Sequence, residues 1–317
     1  MARARTCCTC WSGKTSRGPS AAHHLSASPF AVSVTNLLRR AAAQLLRVIP
    51  GSAALRLKRD LRDAAWLAEA DAVVVSYPKS GRTFVRAMLA RLYQCRFGID
   101  ERKLLEFPML LRAPGGVPRV LFTHAGDAMR TPKQIRVDPA DYAQARLVLI
   151  ARHPGDIAVS RYHHLKHRSR DKARQRLADQ PLETFVWAEK GGIPSIVAFL
   201  NQFAAQPGVT IIRYEDFLAK PAKSLNRLAE VIGLKVDEKD IADAVEFGSF
   251  PSLRQREREG YFTSSRLRQA RKGDAQSGKV RSGKSGGYRA QLGAEEAARI
   301  DAYIVEHLDS RFGYSAT

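Results

Sequence analysis

The chain has 317 residues, 44% of them hydrophobic and 26% charged, a composition that gives a globular protein room for one large α/β domain or two small ones. Its net charge of +21 gathers in two places: residues 1–59 hold ten Lys/Arg and no acid, and residues 251–290 hold eleven Lys/Arg against Glu257, Glu259 and Asp274. No run of 18 apolar residues argues for a transmembrane helix, and four cysteines in a chain of this length exclude a disulfide scaffold, so a reducing, cytoplasmic setting is expected.

Residues 1–32 are basic and Ser/Ala-rich, and read as a disordered tail or an organelle-targeting segment. Cys7, Cys8 and Cys10 crowd this tail, but no second Cys/His cluster follows at zinc spacing, so no metal is expected. The spacing predicts a helix over 33–48, with Leu37, Leu38, Ala41, Leu45 and Leu46 on one face and Arg39, Arg40 and Arg47 off it. Such a helix packs on a domain or lies on an anionic membrane, which leaves peripheral membrane contact through 33–59 open. A second helix is expected over 55–70. Together, 33–70 make an N-terminal helical segment ahead of a main domain over 71–317.

That domain opens on the string D-A-V-V-V-S-Y-P-K-S-G-R-T-F-V-R, residues 71–86. The β-branched run from Ala72 predicts a buried strand. Lys79-Ser80-Gly81 forms a tight turn, and a helix is expected over 83–93. A helix start presents unpaired N–H groups and partial positive charge, so it suits an anion. Lys79 adds a full charge, and Ser80 and Thr83 add hydroxyls. The Walker spacing is absent, because Lys79 precedes the glycine.

Residues 98–118 read as loop with little helix. A strand over 119–123 runs into His124, and a helical turn is expected near 139–143. A third strand, 146–151, ends at Arg152, and His153-Pro154 opens a helix through 166. Helices are expected over 182–190 and 195–205. The fourth strand, 209–213, is followed by Tyr214-Glu215-Asp216. Helices return over 221–232 and 238–247, residues 250–290 read as a basic loop, and a last helix covers 294–308.

Short strands alternating with helices predict an α/β fold, a central parallel sheet with helices on both faces. In such sheets ligands sit beyond the carboxyl ends of the strands. The residues that follow the four strands are Lys79, His124, Arg152 and Tyr214, and they should meet in one crevice. Lys79 and Arg152 suit phosphate-like anions. His124 titrates near neutrality and suits a general base.

Y-P-K-S-G-R-T-F resembles the 5′-phosphosulfate loop of the sulfotransferases that use 3′-phosphoadenosine 5′-phosphosulfate. R-H-P-G-D-I-A-V-S-R-Y, residues 152–162, resembles their 3′-phosphate segment, and the likeness implies that Arg152 and Ser160 hold that phosphate. Thr123-His124 matches the family's T-H pair. Y-E-D-F at Tyr214 matches the segment whose tyrosine reaches the adenine. Ser249-Phe250 resembles the segment whose phenylalanine stacks on the purine, and Phe84 stands where many members have tryptophan. R-S-G-K-S-G-G-Y-R, residues 281–289, resembles the C-terminal phosphate motif, which implies Arg281, Ser282 and Gly283; Arg271 and Lys272 are the second choice. Two letters depart from the pattern: Arg82 replaces a small threonine and Ser282 replaces a lysine.

The resemblance implies a P-loop-like three-layer sandwich and a nucleotide site made of Lys79, Ser80, Gly81, Arg82, Thr83, Phe84, Arg152, Ser160, Tyr214, Ser249, Phe250, Arg281, Ser282 and Gly283. The reaction it implies moves a sulfuryl group from 3′-phosphoadenosine 5′-phosphosulfate to an acceptor hydroxyl or amine, with His124 and Lys79 catalytic and no metal. The acceptor site is expected in the variable parts, 98–118, 163–195 and 255–280. Two other classes share some of these features: a nucleotide kinase or NTPase, and a non-enzymatic binder of nucleic acid or membrane surface driven by the basic tails. Nucleic acid is not the expected partner.

Overall fold

The sheet is built from four short strands whose backbones run in the same direction. In a computed structural model, β1 (Ala72–Ser76), β2 (Val120–Thr123), β3 (Arg146–Ala151) and β4 (Thr210–Arg213) pair in the order β2-β1-β3-β4, every pair parallel. The structure describes residues 62–104, 110, 113, 115–126, 128–169, 171–263 and 285–314. The tail at 1–32, the helix expected over 33–48, the first part of the helix expected over 55–70, and Arg271, Lys272, Arg281, Ser282 and Gly283 lie outside them. Residues 62–69 are helical.

Every residue of β1 is buried, because both faces of the sheet are covered. Side chains alternate across a strand. Val73 and Val75 point to one core with Leu147, Leu149, Ile157, Ile196, Phe199 and Ile300. Ala72 and Val74 point to the other, with Val148, Ile150, Ile212, Met88, Leu228 and Phe247. The first layer is formed by α3 (Pro154–Arg168), α6 (Ile193–Ala204) and α11 (Gly287–His307). The second is formed by α1 (Arg82–Phe97), α8 (Pro221–Ile232) and α9 (Glu238–Gly248). This is the expected α/β sandwich. Short helices α2 (Glu101–Leu104), α4 (Lys172–Gln175), α5 (Leu182–Val186), α7 (Tyr214–Ala219) and α10 (Phe250–Glu259) complete it.

The structure corrects the expected elements in three places. Part of the basic loop expected over 250–290 is helix α10: Ser249 Oγ accepts from Ser252 N, Pro251 fits the first turn, and Gly260 closes the helix at φ 66°. Leu253 and Glu257 are its buried face. The last helix begins at Gly287 rather than 294, because the chain kinks at Gly293 (φ 80°, ψ 170°) and resumes. The helix expected over 182–190 stops at Val186. A Cβ on Gly192 would stand 2.3 Å from the Ala188 carbonyl oxygen, so only glycine lets the chain turn tightly into α6. Y-E-D-F follows β4 as expected and opens the six-residue helix α7.

Candidate active site at the strand ends

Register decides which side chains can meet. Val75 pairs with Thr123, Ser76 with Ile150, and Ala151 with Arg213, so the four carboxyl ends finish level. Beyond them lies a crevice of about 440 Å³ whose lining includes Lys79, His124, Arg152 and Tyr214.

The turn after β1 is held in an unusual backbone conformation. Lys79 has φ 83° and Gly81 φ 81°, both left-handed. The first is costly for a residue with a side chain, and such strain concentrates at functional sites. Gly81 has a second reason to be glycine: a Cβ there would stand 2.2 Å from Tyr214 Cδ2. Helix α1 starts at once, with no side-chain cap and no acid in its first turn. Its leading N–H groups and positive dipole end therefore face the crevice uncompensated by protein carboxylates. Lys79, Gly81, Arg82, Thr83 and Phe84 line the crevice. Ser80 does not: it is fully buried, and its Oγ has no hydrogen-bond partner among the described residues.

His124 is oriented by the neighbouring strand. Its Nδ1 lies 2.7 Å from the Ser76 carbonyl oxygen. A carbonyl only accepts, so Nδ1 carries the proton and the neutral ring keeps its lone pair on Nε2. The next turn is also strained, with Ala125 at φ 49°; Arg130 Nη2 donates to the Ala125 carbonyl at 2.6 Å. Tyr77 Oη donates to the Ala128 carbonyl at 2.9 Å and accepts from Arg161 Nη1 at 3.0 Å. Arg161, 5% exposed, also donates to the Gly191 carbonyl. One buried guanidinium thus joins the Lys79 turn, the His124 turn and the Gly191 bend.

On the other side, Arg152 Nη1 donates to the Lys79 carbonyl at 3.1 Å, and its guanidinium stands 4.7 Å from the Tyr214 ring centre. Tyr214 is packed between this cation and Gly81, edge-on to Phe84 at 6.1 Å. Ser160 and Phe250 complete the lining on this side. Ser249 instead spends its hydroxyl on the α10 N-terminus.

Several residues that organise this wall were missed by sequence reasoning. Asp156, buried in the first turn of α3, lies 3.6 Å from Arg152 Nη2 and accepts from Gly286 N at 2.8 Å and Tyr288 N at 3.2 Å, so it caps α11. Glu215 accepts from His153 N at 3.0 Å and from Tyr314 Oη at 2.8 Å. Burial, reinforced by the Glu215 carboxylate, holds the Tyr314 phenol well above its usual range. His153 stacks on Tyr288 at 4.6 Å, and burial pulls its imidazole down to about 4. Their sequence signal was present, as acids in R-H-P-G-D and Y-E-D, but nothing local says that Asp156 grips a segment 130 residues away and Glu215 one 99 residues away.

Among the described residues no helix is long and apolar enough to cross a membrane. Comparison with known proteins agrees with the geometry. The chain is similar to sulfotransferase 1A1 of Bos taurus, at 27% identity over 207 residues, covering 61% of this chain and 69% of that protein. It is similar to cytosolic sulfotransferase 3 of Arabidopsis thaliana, at 26% over 204 residues, covering 58% of this chain and 62% of that protein. Its fold resembles mouse sulfotransferase SULT7A1, solved as a complex with PAP, with TM-score 0.52 and 18% identity over 75% of this chain and 84% of that one. Residues 117–311, well over half of the chain, match the sulfotransferase domain family. The kinase and non-enzymatic readings give way to this match: the chain belongs to the sulfotransferase domain family, and the reaction it carries is sulfuryl transfer.

Proposed function

We propose that the sulfuryl donor is 3′-phosphoadenosine 5′-phosphosulfate, that it lies along the crevice from the Arg152 side to the Lys79 turn, and that the acceptor is a small compound with a hydroxyl. One observation carries this reading: a single crevice contains Lys79, Arg152 and His124 together with the rings of Phe84, Tyr214 and Phe250. Cations and a helix N-terminus suit the phosphosulfate and the 3′-phosphate, and aromatic walls suit a purine. Ser160, two helical turns after Arg152, supports a second phosphate contact. On their match to the family's C-terminal phosphate motif, Arg281, Ser282 and Gly283 are preferred over Arg271 and Lys272 for the remaining contacts.

The transfer is an in-line displacement at sulfur. The acceptor oxygen forms the new O–S bond as the bond from sulfur to the bridging phosphate oxygen breaks. The acceptor proton goes to His124 Nε2, the ring nitrogen left with a lone pair by the Ser76 hydrogen bond. Lys79 and the first N–H groups of α1 stabilise the charge that grows on the leaving phosphate. The products are the sulfated acceptor and adenosine 3′,5′-bisphosphate.

Calorimetric titration with adenosine 3′,5′-bisphosphate, against ATP with magnesium, tests the donor. The bisphosphate is expected to bind at least tenfold more tightly; preference for ATP would overturn the assignment. Transfer of labelled sulfuryl groups to pooled alcohols, phenols and amines tests the reaction directly, with hydroxyl acceptors expected to be labelled.

A further inference from the structure

The crevice reaches beyond the proposed nucleotide site, and its far end has a chemistry of its own. Helix α3 runs past Ser160, and His164, Leu165 and Ser169 also line the crevice. Ser160 to Ser169 is roughly 13 Å of helix at 1.5 Å per residue, so this wall stands clear of the second phosphate contact. Arg174 of α4 joins it, and Ala128 approaches from the loop after His124.

A site for a neutral aryl or alkyl acceptor is lined mainly by apolar and aromatic side chains. This wall is not. The aromatic rings of the crevice, Phe84, Tyr214 and Phe250, are those assigned to the nucleotide, and no described lining residue is an aspartate or glutamate. The far wall sets a guanidinium and an imidazole beside Leu165 and Ala128, while the Ser169 hydroxyl is engaged with the Asp171 backbone. Arg161 also borders the crevice, but Tyr77 and Gly191 occupy its donors, so it contributes charge rather than a fork. Arg174 pairs with Asp171 at 3.3 Å, with side chains 47% and 54% exposed. Exposed pairs of this kind hold weakly.

We propose that the acceptor is a hydroxyl compound that also carries an anionic group, a carboxylate, sulfate or phosphate, and that this group sits against Arg174 and His164 while the hydroxyl faces His124. The proposal rests on the donor reading above. It adds no step: the hydroxyl oxygen takes the sulfuryl group, its proton goes to His124, and the anionic group is unchanged.

The test uses the full chain and two matched acceptor pairs, glucuronate against glucose and 4-hydroxyphenylacetate against 4-methylphenol. Nucleotide is titrated first; failure of adenosine 3′,5′-bisphosphate to bind removes the donor reading, and this proposal with it, before any acceptor is added. With nucleotide bound, calorimetry and labelled transfer should both favour the anionic member of each pair by about tenfold, the scale of one charge-assisted hydrogen bond. Arg174→Ala should lower the anionic-to-neutral ratio of kcat/KM by a similar factor, chiefly through KM, and Arg174→Lys should restore part of it. Equal or better binding of the neutral members, or an unchanged ratio in Arg174→Ala, overturns the proposal.

Discussion

The two walls of the crevice are made in different ways. The Lys79–His124 wall is built from short turns that leave neighbouring parallel strands, and its atoms are fixed by backbone: left-handed Lys79 and Gly81, the Ser76 carbonyl on His124, and the start of α1. The Arg152–Tyr214 wall is assembled from distant parts of the chain. Asp156 and Glu215 grip the C-terminal segment through Gly286, Tyr288 and Tyr314. The first wall is held by turns on adjacent paired strands; the second also needs the C-terminal segment in place. Chemistry placed on the first and nucleotide retention placed on the second should therefore separate under mutation.

The largest effects belong to the first wall. His124→Ala is expected to lower kcat by about 10²–10⁴, the range for a lost general base, while adenosine 3′,5′-bisphosphate affinity stays within about twofold. Lys79→Ala should lower kcat by about 10²–10³. Wild-type turnover by His124→Ala would remove its role as base. Arg161→Met tests whether the joint behind this wall matters: a kcat loss of about tenfold with little change in KM is expected, and a purely structural role would move melting temperature alone.

How far these walls were legible in the sequence follows from how they are built. The first was readable because strand, turn and helix lie together in 71–86 and the parallel-sheet rule puts every strand exit on one edge. Lys79, His124, Arg152 and Tyr214 were named from that rule and do line one crevice. Ser80 and Ser249 show its limit. Spacing places them in the right turns, but rotation buries Ser80, and a helix hidden in a charged stretch takes the Ser249 hydroxyl. That stretch read as loop because its charges mask the one buried stripe of Leu253 and Glu257. Asp156, Glu215 and Arg161 were missed because their meaning lies in partners far along the chain.

The second wall should respond on a smaller scale and in a different observable. Asp156→Ala removes the acceptor of two backbone N–H groups and a carboxylate 3.6 Å from Arg152. A stability loss of about 2–3 kcal/mol is expected by chemical denaturation, because the α11 donors are left buried without their partner. Nucleotide affinity should fall about tenfold, with kcat at saturating nucleotide kept within about threefold. A kcat loss as large as that of His124→Ala would erase the distinction between the walls.

The smallest effect is a dependence on pH. His153 sits between Arg152 and Pro154, stacked on Tyr288, with Asp301 at 3.7 Å from Nε2. Burial lowers its imidazole from 6.5 to about 4. The folded protein therefore binds this proton less readily than the unfolded chain does. Above pH 6.5 neither state holds it and the residue contributes nothing to the pH dependence. As pH falls from 6.5 toward 4 the unfolded chain gains the proton first, and the folded state loses stability on the order of 2 kcal/mol by pH 5. For a domain of this size that is a fall of roughly 5 °C in Tm between pH 7 and pH 5. His153→Phe keeps a ring against Tyr288 and has no proton to gain, so its melting temperature should fall by less over the same interval. Equal slopes for the two proteins would place the pH sensitivity elsewhere in the C-terminal clamp.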